Sequence, residues 1–212
     1  MDTGLAVAII ILVLYVFLVN TSWFLCSNSY LILHKTMRKL WTDHVFWTRE
    51  YVILAIENLA TKQYAADRLM QNQVDIGNAF GIYYGCCAGQ QLTGLLKDHI
   101  GLAVQLISAM QEKSSTVDDL NKQWYTNADQ IAQFLHDCNP ELWPAMVMQQ
   151  MMHDHLHLTT AEITKYLYTK QGDKSSAGQD IPAFDAVLKE ILQMADMLTD
   201  GIARQQRWKF LI

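Results

Sequence analysis

Leu40-Trp41-Thr42-Asp43-His44-Val45, Leu95-Leu96-Lys97-Asp98-His99-Ile100 and Met151-Met152-His153-Asp154-His155-Leu156 are three versions of one phrase. The interval from His44 to His99 and that from His99 to His155 agree to within a single position. The likeness extends outward from the Asp-His pair. Seven residues before each histidine stand Met37, Leu92 and Met148; three after stand Trp47, Leu102 and Leu158; four after stand Thr48, Ala103 and Thr159. Offsets of −7, −4, −3, 0, +3 and +4 trace one face of an α-helix. Each histidine therefore sits in the middle of an apolar stripe, with the preceding aspartate about 100° round the helix.

A second helix follows each phrase. In the first unit it contains Asn72 and in the second Asn127, and Asn72 follows His44 at the same interval as Asn127 follows His99. An isoleucine, Ile76 or Ile131, comes four later in both. In the third unit the closest chemical counterpart is Asp196 in Gln193-Met194-Ala195-Asp196, at a longer interval after His155. The extra length is assigned to the Gly/Ser-rich turn Gly172 to Gly178. Shorter turns are expected around 58–63 and 112–117, with Thr116 or Asp118 capping the helix that follows.

A hairpin of this size cannot bury its apolar face alone, so the three must pack on one another. The expected fold is all-α: a six-helix bundle of three tandem helical hairpins, closed about a shared axis rather than stacked as a solenoid. The repeats run at about 37–91, 92–147 and 148–212 within a helical domain of residues 30–212. Three prolines in 212 residues, with much Leu, Met, Ala and Gln, agree with long helices.

Residues 1–29 read differently. Leu5 to Val19 is an unbroken apolar run, and residues 5–26 number 22, enough to cross about 30 Å of hydrocarbon. A transmembrane helix is the expectation, with the lipid bilayer as its partner. A cleaved signal peptide is the rival, but no basic residue precedes the run and no small-x-small site follows it. Lys35, Arg38 and Lys39 follow the run. The positive-inside rule then puts the N-terminus outside and the main domain in the cytosol, or facing the capsid in a virion.

Four cysteines, Cys26, Cys86, Cys87 and Cys138, form no CxxC and no disulfide framework, which fits a reducing compartment. Cys86-Cys87 reads as two buried small hydrophobes, with a vicinal redox pair as the alternative. A net charge of −5 with no basic block excludes a nucleic-acid groove. Trp41, Trp47, Trp124 and Trp143 fall at helical spacing and read as core. Arg49 is expected to pair with Asp75 or Asp129 across helices.

The blocks Leu40-Trp41-x-x-His44-Val45-x-Trp47-Thr48-Arg49, Arg68-Leu69-x-x-Asn72-Gln73-x-Asp75-Ile76, Tyr84-Gly85, Leu95-Leu96-x-Asp98-His99-Ile100 and Trp124-Tyr125-x-Asn127-Ala128-Asp129-x-Ile131 together resemble a family. So do Met194-Ala195-Asp196 and Gly201-Ile202 near the end. The family comprises uncharacterised small helical proteins of spore-forming Gram-positive bacteria, with relatives in large DNA viruses. The likeness covers about residues 37–210. Members are often labelled acetylglutamate kinase, but no phosphate-cradling Gly-rich loop and no α/β alternation is present. The chain departs from the family pattern in its apolar N-terminal run and in Cys86-Cys87. The resemblance implies the helical fold and supplies no reaction.

Two functions follow as expectations. One is a membrane-anchored structural or interaction protein that binds other proteins, in a viral setting a virion membrane or minor capsid-associated component. The other is a metal-binding protein or metal-dependent enzyme, with His44, His99 and His155 holding Zn²⁺ or Fe²⁺ and with Asn72, Asn127 and Asp196 around them. Against the metal stands a plainer reading, in which each histidine is buried and hydrogen-bonded to its own hairpin's Asn or Asp. His153 and His157, two residues either side of His155, point away from the stripe and read as surface. No Ser-His-Asp order or paired-carboxylate motif stands out.

Overall fold

The computed structural model describes residues 3–210 and, within the first helix, the side chains of residues 11, 12, 14, 15 and those from 28 onward. All described elements are helical: α1 Thr3–Ile56, α2 Lys62–Tyr84, α3 Cys86–Glu112, α4 Val117–Cys138, α5 Ala145–Lys170, α6 Asp180–Gln205 and a 3₁₀ turn, η1, Arg207–Phe210. Each α-helix packs against the next in sequence, and α6 packs back against α1. The six helices therefore form a closed ring, with hairpins α1/α2, α3/α4 and α5/α6 as its three units.

The repeated stripes line the middle of that ring. Met37, Leu92 and Met148 are buried, as are Trp41, Leu96 and Met152, and Val45, Ile100 and Leu156. From the second helices come Leu69, Trp124 and Val187, then Ile76, Ile131 and Met194, then Phe80, Leu135 and Leu198. Most belong to one continuous core. Trp143 closes one end of it, fully buried and packed against Phe80 and Tyr84.

The turns fall where glycine, serine and asparagine place them. Asn58 (φ 53°), Lys113 (φ 54°) and Gly172 (φ 94°) adopt the left-handed conformation that ends a helix. Thr116 holds the N-cap position of α4 without a side-chain cap. Its amide instead donates to Ser114 Oγ at 3.2 Å.

The N-terminal expectation requires correction. No helix boundary falls at residue 29; α1 is one helix of 54 residues that runs straight into the bundle. At 1.5 Å per residue it is about 81 Å long, twice any other helix here, so it continues beyond the end of the bundle. The span expected at residues 5–26 falls mostly on side chains outside the described ones. Among the described residues no helix is long and apolar enough to cross a membrane. That finding overturns the assignment as a single-pass membrane protein with an outside N-terminus and a cytosolic or capsid-facing domain.

Two contacts fix how closely neighbouring helices approach. Where α2 crosses α3, a Cβ on Gly77 would lie 1.9 Å from Thr93 Oγ1, and one on Gly89 would lie 2.5 Å from the Gly77 carbonyl oxygen. At the other contact a Cβ on Gly201 would lie 2.0 Å from Trp143 Nε1. Gly89→Ala and Gly201→Ala should each destabilise the fold by about 2 kcal/mol, since backbone and a packed indole cannot move aside. Gly94→Ala and Gly101→Ala, whose Cβ atoms would meet open space, should be neutral or stabilising by up to about 1 kcal/mol. Urea unfolding of the four variants checks both statements.

Candidate functional site

Helices α1, α3 and α5 each turn one histidine toward the axis of the ring. His44, His99 and His155 are 3%, 3% and 4% exposed, so the three lie at equivalent depth. The rings of His44 and His155 are 5.8 Å apart between centroids. His99 is close enough to both for their charges to be felt. Trp41 packs on His44 and Trp124 on His99.

Two of the three imidazoles are held from the second helix of their own hairpin. Asn127 Nδ2 donates to the Leu95 carbonyl at 3.1 Å, which fixes the amide so that its Oδ1 faces His99 Nδ1 at 2.7 Å. His99 therefore carries its proton on Nδ1 and leaves the Nε2 lone pair free. Asn72 repeats the first contact, donating to the Leu40 carbonyl at 3.0 Å. Its Oδ1, however, accepts from Gln73 Nε2, and His44 Nδ1 is buried without a hydrogen-bond partner.

The third unit corrects the sequence reading. His155 Nδ1 pairs with Glu190 Oε2 at 2.8 Å, not with Asp196. Asn72, Asn127 and Glu190 each lie ten residues after the start of their helix. Asp196 lies six residues further on, at the α1/α6 contact, where it binds Arg38 at 2.6 Å and His34 at 3.0 Å. Relative to the second unit the third has two more residues in the α5 half and five more in the loop, a smaller insertion than Asp196 would require. The apolar register contained this signal: Val187, Ile191 and Met194 match Trp124, Ala128 and Ile131 around the partner residue. The chemical likeness of Asp to Asn concealed it.

A second buried polar group also escaped the sequence reading. Arg49 does not reach Asp75 or Asp129. It ties Glu162 of α5 and, at 2.6 Å, Asp180 at the start of α6. Asp129 instead pairs with His153 Nε2 at 2.7 Å. Asp75 lies 3.5 Å from Arg68. His153 is thus a half-buried surface partner, and His157 is exposed. Cys86 and Cys87 are both exposed, which overturns their reading as buried hydrophobes.

These surroundings set the protonation states. Burial, then the neighbouring imidazoles of His155 and His99, hold His44 well below the usual imidazole range. Burial and His155 bring His99 down to about 3, against a small opposing effect of Asn127. His44 and His99 are therefore neutral at pH 7. Burial pushes the Glu162 carboxyl up to about 7, outweighing the opposing attraction of Arg49.

Neutral imidazoles with a free Nε2 can accept a proton, a hydrogen bond or a cation. Among the described residues no group of three or more His, Cys, Asp or Glu side chains is positioned to hold a metal ion. An open groove beside the site, about 510 Å³ in volume, lies between α5 and α6 and is lined by Met146, Val147, Met151, Met194 and Met197, with Glu190 at its inner wall. No family model, no curated protein and no solved structure matches this chain.

The shifted histidines and the shifted glutamate act in opposite directions on stability. A histidine with a depressed folded pKa contributes stability present above its unfolded value near 6.5, lost as pH falls toward about 3. Glu162, with a raised folded pKa, contributes stability that is full below about 4.5 and lost as pH rises through about 7. Between pH 7.5 and 5 His99→Gln should therefore lose less stability than the parent, and Glu162→Gln should lose more. Denaturant midpoints at the two pH values give the comparison, and equal slopes for all three proteins would refute it.

The buried pair is tested separately. His155→Leu leaves the Glu190 carboxylate without its partner and should cost at least about 2 kcal/mol. His153→Ala removes a half-exposed ion pair and should cost less than about 1 kcal/mol. Thermal unfolding that ranks them the other way would break the link between the repeated phrase and the axis.

Proposed function

We propose that this chain is a non-enzymatic helical scaffold, a structural or interaction protein that works by presenting an apolar end to another protein. The supporting observation is the crowding of exposed apolar side chains at the end where α1 leaves the bundle. Lys209 of η1 donates to the carbonyls of Ile82 and Tyr83, and Tyr30 to Asp200, so η1, the end of α2, the end of α6 and this stretch of α1 lie together. Ile82 at the end of α2 is 68% exposed and Trp208 of η1 62%, Leu31 and Ile32 of α1 are exposed, and Met146 at the start of α5 is 83% exposed. Surfaces of this kind mark interaction sites. The methionine-lined groove opens at the same end, and unbranched thioether side chains adapt to an incoming apolar surface.

The resemblance to helical proteins of spore-forming bacteria and large DNA viruses agrees with the helical fold and supplies no reaction. In a viral setting such a scaffold would serve as a minor capsid-associated component. Site-specific photo-crosslinking tests the reading. A benzophenone at Ile82, Met146 or Trp208 of the full chain should capture one defined protein in the native source. The same group at Leu59 or Tyr64, at the opposite end, should not. Equal labelling from both ends, or none from either, would overturn the proposal.

A second reading, a cation held by the three axial imidazoles, is favoured by one observation. Nδ1 of His99 is engaged by Asn127 and Nδ1 of His155 by Glu190. That is the way proteins orient histidines whose Nε2 binds a metal. Zn²⁺ or Fe²⁺ would then bind with an inward movement of the rings. Elemental analysis after purification without chelators decides it: below about 0.1 ion per chain the reading fails, since a buried site retains its ion.

A further inference from the structure

Cys86 and Cys87 stand apart from the axial site. They are the first two residues of α3, directly after Gly85, whose φ of 90° sets the sharp turn from α2. Both thiols are exposed, and their sulfurs are 4.0 Å apart. That distance discriminates between uses of the pair. A disulfide needs about 2.05 Å, so the sulfurs would have to approach by nearly half their separation. Two thiolates sharing one ion at about 2.3 Å lie between about 3.8 Å, for tetrahedral coordination, and about 4.6 Å, for linear coordination. The observed separation lies inside that interval.

The surroundings favour bound negative sulfur. No side chain caps the N-terminus of α3, and no acidic residue occupies its first turn. The first amides of the helix are therefore free to face anionic ligands. The Lys209 ammonium is fixed at 2.8 Å and 2.9 Å on the carbonyls of Ile82 and Tyr83, a few residues before the pair. Cys86 also borders a shallow cavity of about 320 Å³, with the amide side chains of Asn78 and Gln90 in its lining. Gly77, Gly81, Gly89 and Ile82 make up the rest of that lining.

We infer that Cys86 and Cys87 form a two-thiolate site for a soft, thiophilic monovalent cation, of which Cu⁺ is the common biological example. Soft sulfur ligands in low coordination number select such an ion over Zn²⁺, which requires two further ligands. On binding, each thiol releases its proton as its S–Cu bond forms. The product is a bis-thiolate complex of net charge −1, with no change of oxidation state. The helix N-terminus offsets that charge. The site is exposed, so the ion can be exchanged with another thiol ligand, as a carrier or a sensor requires.

Anaerobic titration of the reduced full chain with Cu⁺, in competition with bicinchoninate, tests the inference. One ion per chain is expected, with affinity unchanged in the double variant Cys26→Ser/Cys138→Ser, where the pair are the sole thiols. Cys86→Ser and Cys87→Ser should each weaken binding by at least about 100-fold, because one thiolate cannot replace two. Circular dichroism showing parental helicity confirms that the loss is local, as exposure of both side chains leads one to expect. Retention of full affinity by either single variant, or its loss in the double variant of the other two cysteines, would overturn the inference.

Discussion

Three imidazoles are buried along one axis, where an apolar core favours a polar partner for each. Much of the architecture follows from that constraint. A buried donor left unmatched costs about 1–3 kcal/mol, a large part of a domain's net stability. The partner therefore has to come from the second helix of the same hairpin, at a fixed height. Asn72, Asn127 and Glu190 occupy that height, ten residues into α2, α4 and α6. Helix lengths and turn lengths vary between units, but this distance does not. Buried polar groups of this kind also fix the pairing register of the hairpins, because sliding one helix by a turn would strand both partners.

The sequence revealed this plan where its signal was periodic and lost it where the signal depended on side-chain reach. The even spacing of the histidines, the stripe around each of them and the two asparagines at a common interval are local patterns, and helical geometry translates them into positions directly. The three hairpin turns fall around 58–63, 112–117 and 172–178 as expected, although a lysine, Lys113, takes the left-handed position in the second. Glu190 was not, because the longer α5 and its loop broke the spacing and Asp196 offered a chemically closer match. The partners of Arg49 were not legible either. A guanidinium can reach carboxylates on several helices, and only the closure of the ring decides that Glu162 and Asp180 are the ones it meets. The exposure of Cys86 and Cys87 depended on which way the α2/α3 corner turns, which neither residue encodes alone.

The third unit departs from the threefold pattern in chemistry as well as spacing. Its partner to the axial histidine is a carboxylate where the others have amides. Two helical turns further along α5, Glu162 occupies the position held by Tyr51 in α1 and Leu106 in α3. Both changes introduce acid into α5 and α6, and both acids are more than half buried. Divergence after duplication has thus concentrated ionisable groups in one hairpin. The methionine-lined groove lies in that same hairpin, with Glu190 joining its wall to the axis. An occupant of the groove would touch the one axial partner that carries a carboxyl group in place of an amide.

Ring closure explains where the remaining charges went. Five of the six helix contacts around the ring join neighbours linked by a short connection, which holds their ends together. The sixth, between α1 and α6, has no such link, and apolar packing alone would allow the two helices to slide. Tyr30 with Asp200, His34 and Arg38 with Asp196, and Arg49 with Asp180 form an antiparallel ladder along this contact. Glu57, just past the end of α1, adds Lys170 and Tyr166 from α5. Exposed rungs of such a ladder contribute little stability individually. Their geometry nonetheless admits one register, since a shift by a helical turn would unpair all of them and take Asp180 and Phe184 away from the part-buried Arg49. Breaking a buried ion pair by removing one partner costs about 3–5 kcal/mol. The one contact that chain connectivity leaves unspecified thus carries three rungs of polar pairs that specify it.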